Sequence, residues 1–236
     1  MRKRTTMAKI ILFGNMKGGV GKSQVTIMTA TALSAPPFNC KVMVLDIDRQ
    51  RSIERLRKLD IDSYPPDTIP PYQVRHLNFE ALQKEISNLD QLYDYIFIDT
   101  PGALDNDRPI QDQELTKVLM YVDALFIPFV AGNHNLTATL EYLQFCKKVQ
   151  AARILSKRQL SIYGFVNMHR SRNRVNQFLI EDLAAITGDV QLLKNYLNDY
   201  ALYREADTIQ SIYSDHSSDP AKVNFAAWLN ELITIN

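Results

Sequence analysis

The chain has 236 residues, 46% of them hydrophobic and 22% charged, with a net charge of +1. That length allows a sizeable core, and the near-neutral balance excludes a global pull towards nucleic acid or an anionic membrane. Cys40 and Cys146 have no metal-ligand or redox spacing, and no apolar run reaches the ~18 residues of a transmembrane helix.

The start, Met1-Arg2-Lys3-Arg4-Thr5-Thr6, is basic but leads into a strand rather than a long apolar signal core. Residues 1–8 read as a short basic arm and 9–236 as a single domain. Strands are predicted at Lys9–Phe13, Lys41–Leu45, Tyr72–His76, Tyr95–Ile98, Ala124–Val130 and Leu160–Val166. Several are almost continuously apolar, as strands buried on both faces should be. Helical patterns lie between them at Lys22–Ser34, Gln50–Leu59, Asn78–Leu89, Ile110–Met120, Leu136–Ala151 and Val175–Thr187. The alternation predicts an α/β fold, a doubly wound and mostly parallel sheet with helices on both faces. Right-handed crossovers then bring all strand C-termini, and a ligand, to one edge. The proline-rich stretch 63–71 reads as a rigid connector. The segment Val223–Ile235 is amphipathic and contains Trp228, but Lys222 is its only nearby cation. A membrane-surface helix is usually basic on its polar face, so a packed terminal helix and no membrane partner are expected.

The chemistry concentrates in Lys17-Gly18-Gly19-Val20-Gly21-Lys22-Ser23, between the first strand and the first helix. Glycines let backbone N–H groups converge on a phosphate, and the helix start adds free N–H groups and a positive dipole end. Lys22 supplies a point charge to the β/γ-phosphates, and the Ser23 hydroxyl is a Mg²⁺ ligand. The strict pattern G-x-x-x-x-G-K-[ST] fails, because Met16 stands where it needs glycine. A second cation, Lys17, precedes the glycines instead, which one phosphate cradle does not need.

Two predicted strands end in carboxylates, Asp46-Ile47-Asp48-Arg49-Gln50 and Asp99-Thr100-Pro101-Gly102. In a parallel sheet both groups land on the phosphate-loop edge. Mg²⁺ takes carboxylate and water oxygens beside phosphates, which suits Asp99, with Asp46 near the metal shell. Asp48 is placed to orient an attacking water, and phosphoryl transfer needs such positioning more than a strong base. An Asp at a strand end serves equally well as a helix N-cap.

The loop's spelling resembles the deviant Walker A motif of the ParA/MinD family of ATPases. The resemblance implies a P-loop ATPase domain that uses ATP and Mg²⁺. Gly18 to Gln24 would line the nucleotide, and Lys17 would reach into the partner subunit's nucleotide in an ATP-dependent homodimer. ParA-like proteins also carry D-x-D-P-Q and D-T-P segments; here Arg49 replaces the usual proline, Gln24 a frequent threonine and Met16 a frequent glutamine. The family's adenine-binding asparagine matches Asn167, at the end of Gly164-Phe165-Val166-Asn167, although an asparagine there is also an ordinary turn residue. The following Met168-His169-Arg170 offers no Asp to read guanine, which favours ATP over GTP. Tyr203-Arg204-Glu205-Ala206 with Ser211-Ile212 resembles a late ParA segment, so the likeness runs from Lys9 to Ile212 and fits the small ParA type.

Between Glu141 and Glu181 there is no acidic residue, while Lys147, Lys148, Arg153, Lys157, Arg158, Arg170, Arg172 and Arg174 lie there. Cations without anions suggest a polyanion surface if folding brings them together. The expected function is a ParA-like ATPase that binds DNA non-specifically and partitions a plasmid or chromosome. A ParB-like centromere-binding partner would stimulate hydrolysis, and the protein would be cytoplasmic and nucleoid-associated. The alternatives are a MinD-like ATPase and one that positions conjugation machinery or protein cargo.

Overall fold

The computed structural model describes residues 7–102, 108–156, 158–186, 190–212 and 219–235. The basic arm expected at 1–8 thus lies almost wholly outside the described residues. In chain order the elements are β1 (Lys9–Phe13), α1 (Lys22–Ser34), β2 (Val42–Asp46), α2 (Ser52–Ser63), β3 (Gln73–His76), α3 (Phe79–Leu89), β4 (Tyr95–Asp99) and α4 (Arg108–Leu119). There follow β5 (Ala124–Phe129), α5 (Asn133–Ala152), β6 (Ser161–Val166), α6 (Arg174–Ile186), β7 (Gln191–Leu192), α7 (Ala201–Arg204) and α8 (Pro220–Thr234). The expected elements are present with bounds shifted by a few residues. The exceptions are β7 and α7, too short to leave a periodic pattern.

Among the described residues the strands form one sheet in the order β3-β2-β4-β1-β5-β6-β7, every pair parallel. The continuous apolar strands are explained by cover on both faces. Ile10, Leu12, Met43, Leu45, Ile96 and Ile98 pack on one side, Ile11, Phe13, Val44, Phe97 and Phe126 on the other. The second side is aromatic at its centre: the Phe13 ring lies 6.0 Å from Phe97, 5.8 Å from Phe126 and 6.0 Å from Trp228. Trp228 belongs to α8, which starts on Pro220 with the Asp219 side chain capping Ala221 N. Trp228, Phe225 and Leu232 are fully buried, so the terminal helix packs as expected.

Helix α1 is buried on nearly all sides. Its interior threonines satisfy their hydroxyls locally, Thr26 on Lys22 O at 3.0 Å and Thr31 on Ile27 O at 2.7 Å. A buried helix behind the loop gives that loop a fixed base. The sheet centre then delivers the ends of β1, β2, β4, β5 and β6 to one edge, where β1 lies between β4 and β5. That is the crevice where open α/β sheets take ligands.

Candidate nucleotide site

The loop after β1 is tied down before it reaches its glycines. Asn15 is buried; its Nδ2 donates to Pro128 O at 3.0 Å and to Thr139 Oγ1 at 2.8 Å, while its Oδ1 accepts from Lys17 N at 2.9 Å. These bonds fix the loop to β5 and α5. Gly14 is equally constrained, because a Cβ there would meet the Tyr142 hydroxyl at 2.2 Å and Leu125 at 2.7 Å. Gly19 and Gly21 adopt φ of 75° and 87°, a region that disfavours side chains. A Cβ built on Gly18 or Gly19 meets nothing within 4 Å, so open space lies over this part of the loop. Gly102, after β4, closes in from the other side: its Cβ would stand 3.3 Å from Gly18 Cα and 3.5 Å from Lys22 Nζ.

Lys22 opens α1 and is buried, with its ammonium donating to Lys17 O at 3.3 Å. Burial pulls its pKa down, and the negative charges of Asp99 and Asp48 partly oppose this. Ser23 Oγ donates to Asp99 Oδ2 at 2.8 Å, while Asp99 Oδ1 is buried with no hydrogen-bond partner. Burial raises the Asp99 carboxyl to about 7, opposed by the Ser23 hydrogen bond and the Lys22 charge. An orphaned carboxylate oxygen beside a serine hydroxyl at a glycine loop fits the donor set for Mg²⁺. Lys17 is exposed, as a lysine reaching outward requires.

Asp46 pairs in register with Asp99 across β2 and β4, but its role differs from the expected one. Its Oδ2 accepts from Ile53 N at 2.9 Å and Glu54 N at 3.0 Å, and its Oδ1 from Asp48 N at 3.1 Å. With both oxygens taken by three backbone donors, Asp46 holds the start of α2 rather than contributing to a metal shell. Burial still raises its pKa, and those three bonds moderate the rise. The same turn presents Asp48, partly exposed and near enough to affect Lys22 and Asp99 electrostatically.

Asn167 directly follows β6 and is buried against the loop; its Nδ2 donates to Val20 O at 2.8 Å. A carbonyl can only accept, so this bond fixes the amide's orientation and leaves Oδ1 as an acceptor. Beyond it a cleft is lined by Gln24, Met28, Met168, Asp199, Tyr203 and Arg204 among others. Gln24 Nε2 donates to Tyr203 O, linking α1 to α7 across this cleft. Asp199, between Arg170 and Arg204, is drawn upward by burial, but hydrogen bonds from both arginines outweigh this and hold it below the usual carboxylate range.

The cation-rich stretch does not form one patch. Lys147, Lys148, Arg153 and Arg158 lie at or before the entry to β6, Arg170, Arg172 and Arg174 beyond its exit. Six residues of strand, ~20 Å, separate the groups. Arg153 is 1% exposed and donates to the carbonyl oxygens of Leu119, Val122 and Arg158. Arg158 pairs with Asp123 at 2.5 Å and Asp90 at 3.2 Å. These two arginines are structural staples, and both leave the DNA-binding set. Lys157 lies outside the described residues. Arg172 and Arg174 are exposed, while Arg170, also exposed, is committed to Asp199.

Asn15, Gly14 and Gly102 are site residues that the sequence does not single out. A polar residue at the end of an apolar strand is a usable signal for Asn15; the other two depend on neighbours distant in sequence.

The chain resembles known proteins over nearly its whole length. A family model for the CobQ/CobB/MinD/ParA nucleotide binding domain matches residues 11–210. A plasmid partition protein from Borrelia burgdorferi is 23% identical, with a TM-score of 0.64, over 98% of this chain and 100% of that one. A Cyanothece McdA variant in complex with ATP is 16% identical, with a TM-score of 0.69, over 96% and 97%. MinD from Aquifex aeolicus is 18% identical, with a TM-score of 0.63, over 96% and 98%. Among curated protein sequences no match to the chain is found. With its glycine loop, Lys22, Ser23 and Asp99 assembled on the carboxyl edge of a parallel sheet, the chain belongs to the CobQ/CobB/MinD/ParA family of nucleotide-binding domains.

Proposed function

We propose that this protein is a ParA-type ATPase that dimerises on ATP, binds DNA without sequence preference and acts in plasmid or chromosome partitioning. A ParB-like centromere-binding partner would stimulate its hydrolysis. The observation that carries the reading is the Ser23–Asp99 hydrogen bond, with one orphaned Asp99 oxygen, beside a loop that bears both Lys17 and Lys22. Likeness to a plasmid partition protein and to McdA adds support.

In this reading the amides of Gly18 to Gly21 donate to the phosphates and Lys22 offsets their charge. Ser23 and Asp99 would hold Mg²⁺, which would supply positive charge to the phosphates. Asp48 orients the water whose oxygen attacks the γ-phosphorus as the bond to the bridging oxygen breaks, releasing ADP and phosphate. Asn167 Oδ1, an acceptor, suits adenine's exocyclic amine and repels guanine's O6. Lys17 projects from the loop to serve the nucleotide of a second subunit.

Light scattering with and without ATP and Mg²⁺ tests the core of this. Wild type should double in mass with ATP. Lys22→Ala should lose nucleotide binding, and Lys17→Ala should bind nucleotide yet stay monomeric. A Lys17→Ala protein that dimerises and hydrolyses normally would remove the dimer reading. ATP-dependent dimers with no DNA affinity would instead favour an ATPase that positions protein cargo.

A further inference from the structure

Helix α2 joins the two ends of the nucleotide site. At its start lies the turn that presents Asp48, held by Asp46 through Asp48 N, Ile53 N and Glu54 N. That turn closes on Arg51 at a left-handed φ of 54°, a conformation that a residue with a Cβ keeps only where its surroundings impose it. Farther along, α2 is fastened to a segment distant in sequence. Arg57, 7% exposed, donates to Thr208 Oγ1 and Thr208 O, both at 2.9 Å, and its guanidinium lies 4.3 Å from the centre of the Tyr72 ring. One turn on, Asp60 Oδ2 accepts from Thr208 N at 2.8 Å and from Thr208 Oγ1 at 2.7 Å. Just past the helix, the Tyr64 hydroxyl donates to Asp207 Oδ2 at 2.6 Å. Thr208 is fully buried, and its hydroxyl both accepts and donates within this link, so its orientation is fixed.

The segment that α2 grips continues the wall of the cleft beyond Asn167. Tyr203 and Arg204 line that cleft, and Tyr203 O accepts from Gln24 Nε2. The chain then reaches Thr208 through a tight turn in which Ala206 N donates to Tyr203 O at 3.4 Å. One connected path thus runs from the cleft wall through Thr208 and α2 to Asp48. Buried charged groups carry a desolvation cost, so such a network fixes a position more than it adds stability. We propose that Arg57, Asp60 and Thr208 are positioning residues, which couple a base seated against Gln24, Asn167 and Tyr203 to the turn that holds Asp48. The seated base sets the water-orienting carboxylate through α2, so a nucleotide with an ill-fitting base fills the phosphate loop but turns over slowly. The coupling is reciprocal: order in the Asp48 turn tightens the base cleft. The roles of the base and of Asp48 in turnover rest on the ATPase reading; the mechanical link through α2 does not.

Hydrogen exchange of the α2 amides tests this, with ADP and with inorganic pyrophosphate, each at saturation. Pyrophosphate fills the loop without a base. ADP should slow α2 exchange at least ~fivefold beyond pyrophosphate. Thr208→Val keeps the shape but removes the hydroxyl, and should abolish that difference. Thr208→Ser keeps the hydroxyl and loses a methyl group, and should retain it. Loss in both variants alike would reduce Thr208 to packing and overturn the proposal, as would equal protection by ADP and pyrophosphate in wild type. Should Thr208→Val fail to fold, Tyr64→Phe, at the outer end of the link, should narrow the difference; an unchanged difference there would overturn the coupling. Steady-state kinetics separates this from the ATPase reading. Thr208→Val should lower kcat for ATP about fivefold with KM little changed. A raised KM at unchanged kcat would overturn the coupling to Asp48. A wild type that shows the ADP-specific protection yet hydrolyses no ATP would remove the ATPase reading and uphold the link.

Discussion

Asp99 is the residue whose environment does most to shape the site. Its raised carboxyl, about 7 against 3.8, means that the folded state holds the proton more tightly than the unfolded chain. The sign follows directly: stability from this group is full below pH 3.8, falls as pH rises towards 7 and is flat above. Asp99→Asn should therefore raise the melting temperature by several degrees at pH 8 in EDTA, and the gain should vanish by pH 4; thermal scans at the two values check this. The same substitution should weaken Mg²⁺-dependent nucleotide binding, because the orphaned oxygen becomes a neutral amide. Asp48 belongs to a different class, partly exposed on a turn that Asp46 holds. Asp48→Ala should leave ATP affinity within about threefold while slowing phosphate release at least tenfold. Unchanged turnover would reduce Asp48 to a residue of the α2 cap.

At the scale of elements, the phosphate loop depends on its anchors as much as on its glycines. Gly14 admits the Tyr142 hydroxyl, and Asn15 ties the loop to β5 and α5. Gly14→Ala would push a methyl group into the buried Tyr142 and Leu125 side chains, so it should cost about 1–3 kcal/mol of stability and reduce ATP affinity together. Chemical denaturation with nucleotide titration reads both; a variant that loses neither would show that the loop tolerates movement of α5. Helix α2 is anchored at its start by Asp46 and at its middle by Arg57, which bonds Thr208 Oγ1 at 2.9 Å, Thr208 O at 2.9 Å and Tyr72 O at 2.6 Å. The turn bearing Asp48 is thereby held by Asp46 ahead of a helix whose middle is itself fixed. Arg49, in place of the familiar proline, reaches Glu114 at 3.8 Å while largely exposed, a contact too weak to stiffen that turn.

For the whole molecule, the arrangement of cations decides where DNA would bind. The two arginines nearest the entry to β6 are spent on internal oxygens, which leaves Arg172 and Arg174 exposed on the nucleotide edge. Arg172→Ala/Arg174→Ala should weaken duplex binding by the ATP-bound protein and reduce the salt slope by about 0.9 for each phosphate that is no longer neutralised. Filter binding across a salt series measures this, with ATP-driven dimerisation as the control. A variant with the wild-type slope would shift the DNA surface away from the nucleotide edge.

The sequence by itself determined the alternation of strands and helices, because apolar strands and periodic helices write their pattern locally. It also determined the glycine-rich loop, whose proposed hold on phosphate depends on backbone freedom and one lysine within seven consecutive residues. The placing of Asp99 and Asp48 on one edge was legible because a parallel sheet forces strand ends together. The tertiary structure alone decided which of the neighbouring carboxylates caps a helix. Asp46 and Asp99 look alike in sequence, yet one meets three backbone donors and the other keeps an unpartnered oxygen. It also decided the fate of the basic stretch. Charge counted along a chain ignores direction, and a strand of ~20 Å separates residues that adjacency in sequence had joined. Burial, which no run of residues records, turned Arg153 and Arg158 from candidate ligands of DNA into supports for the opposite edge.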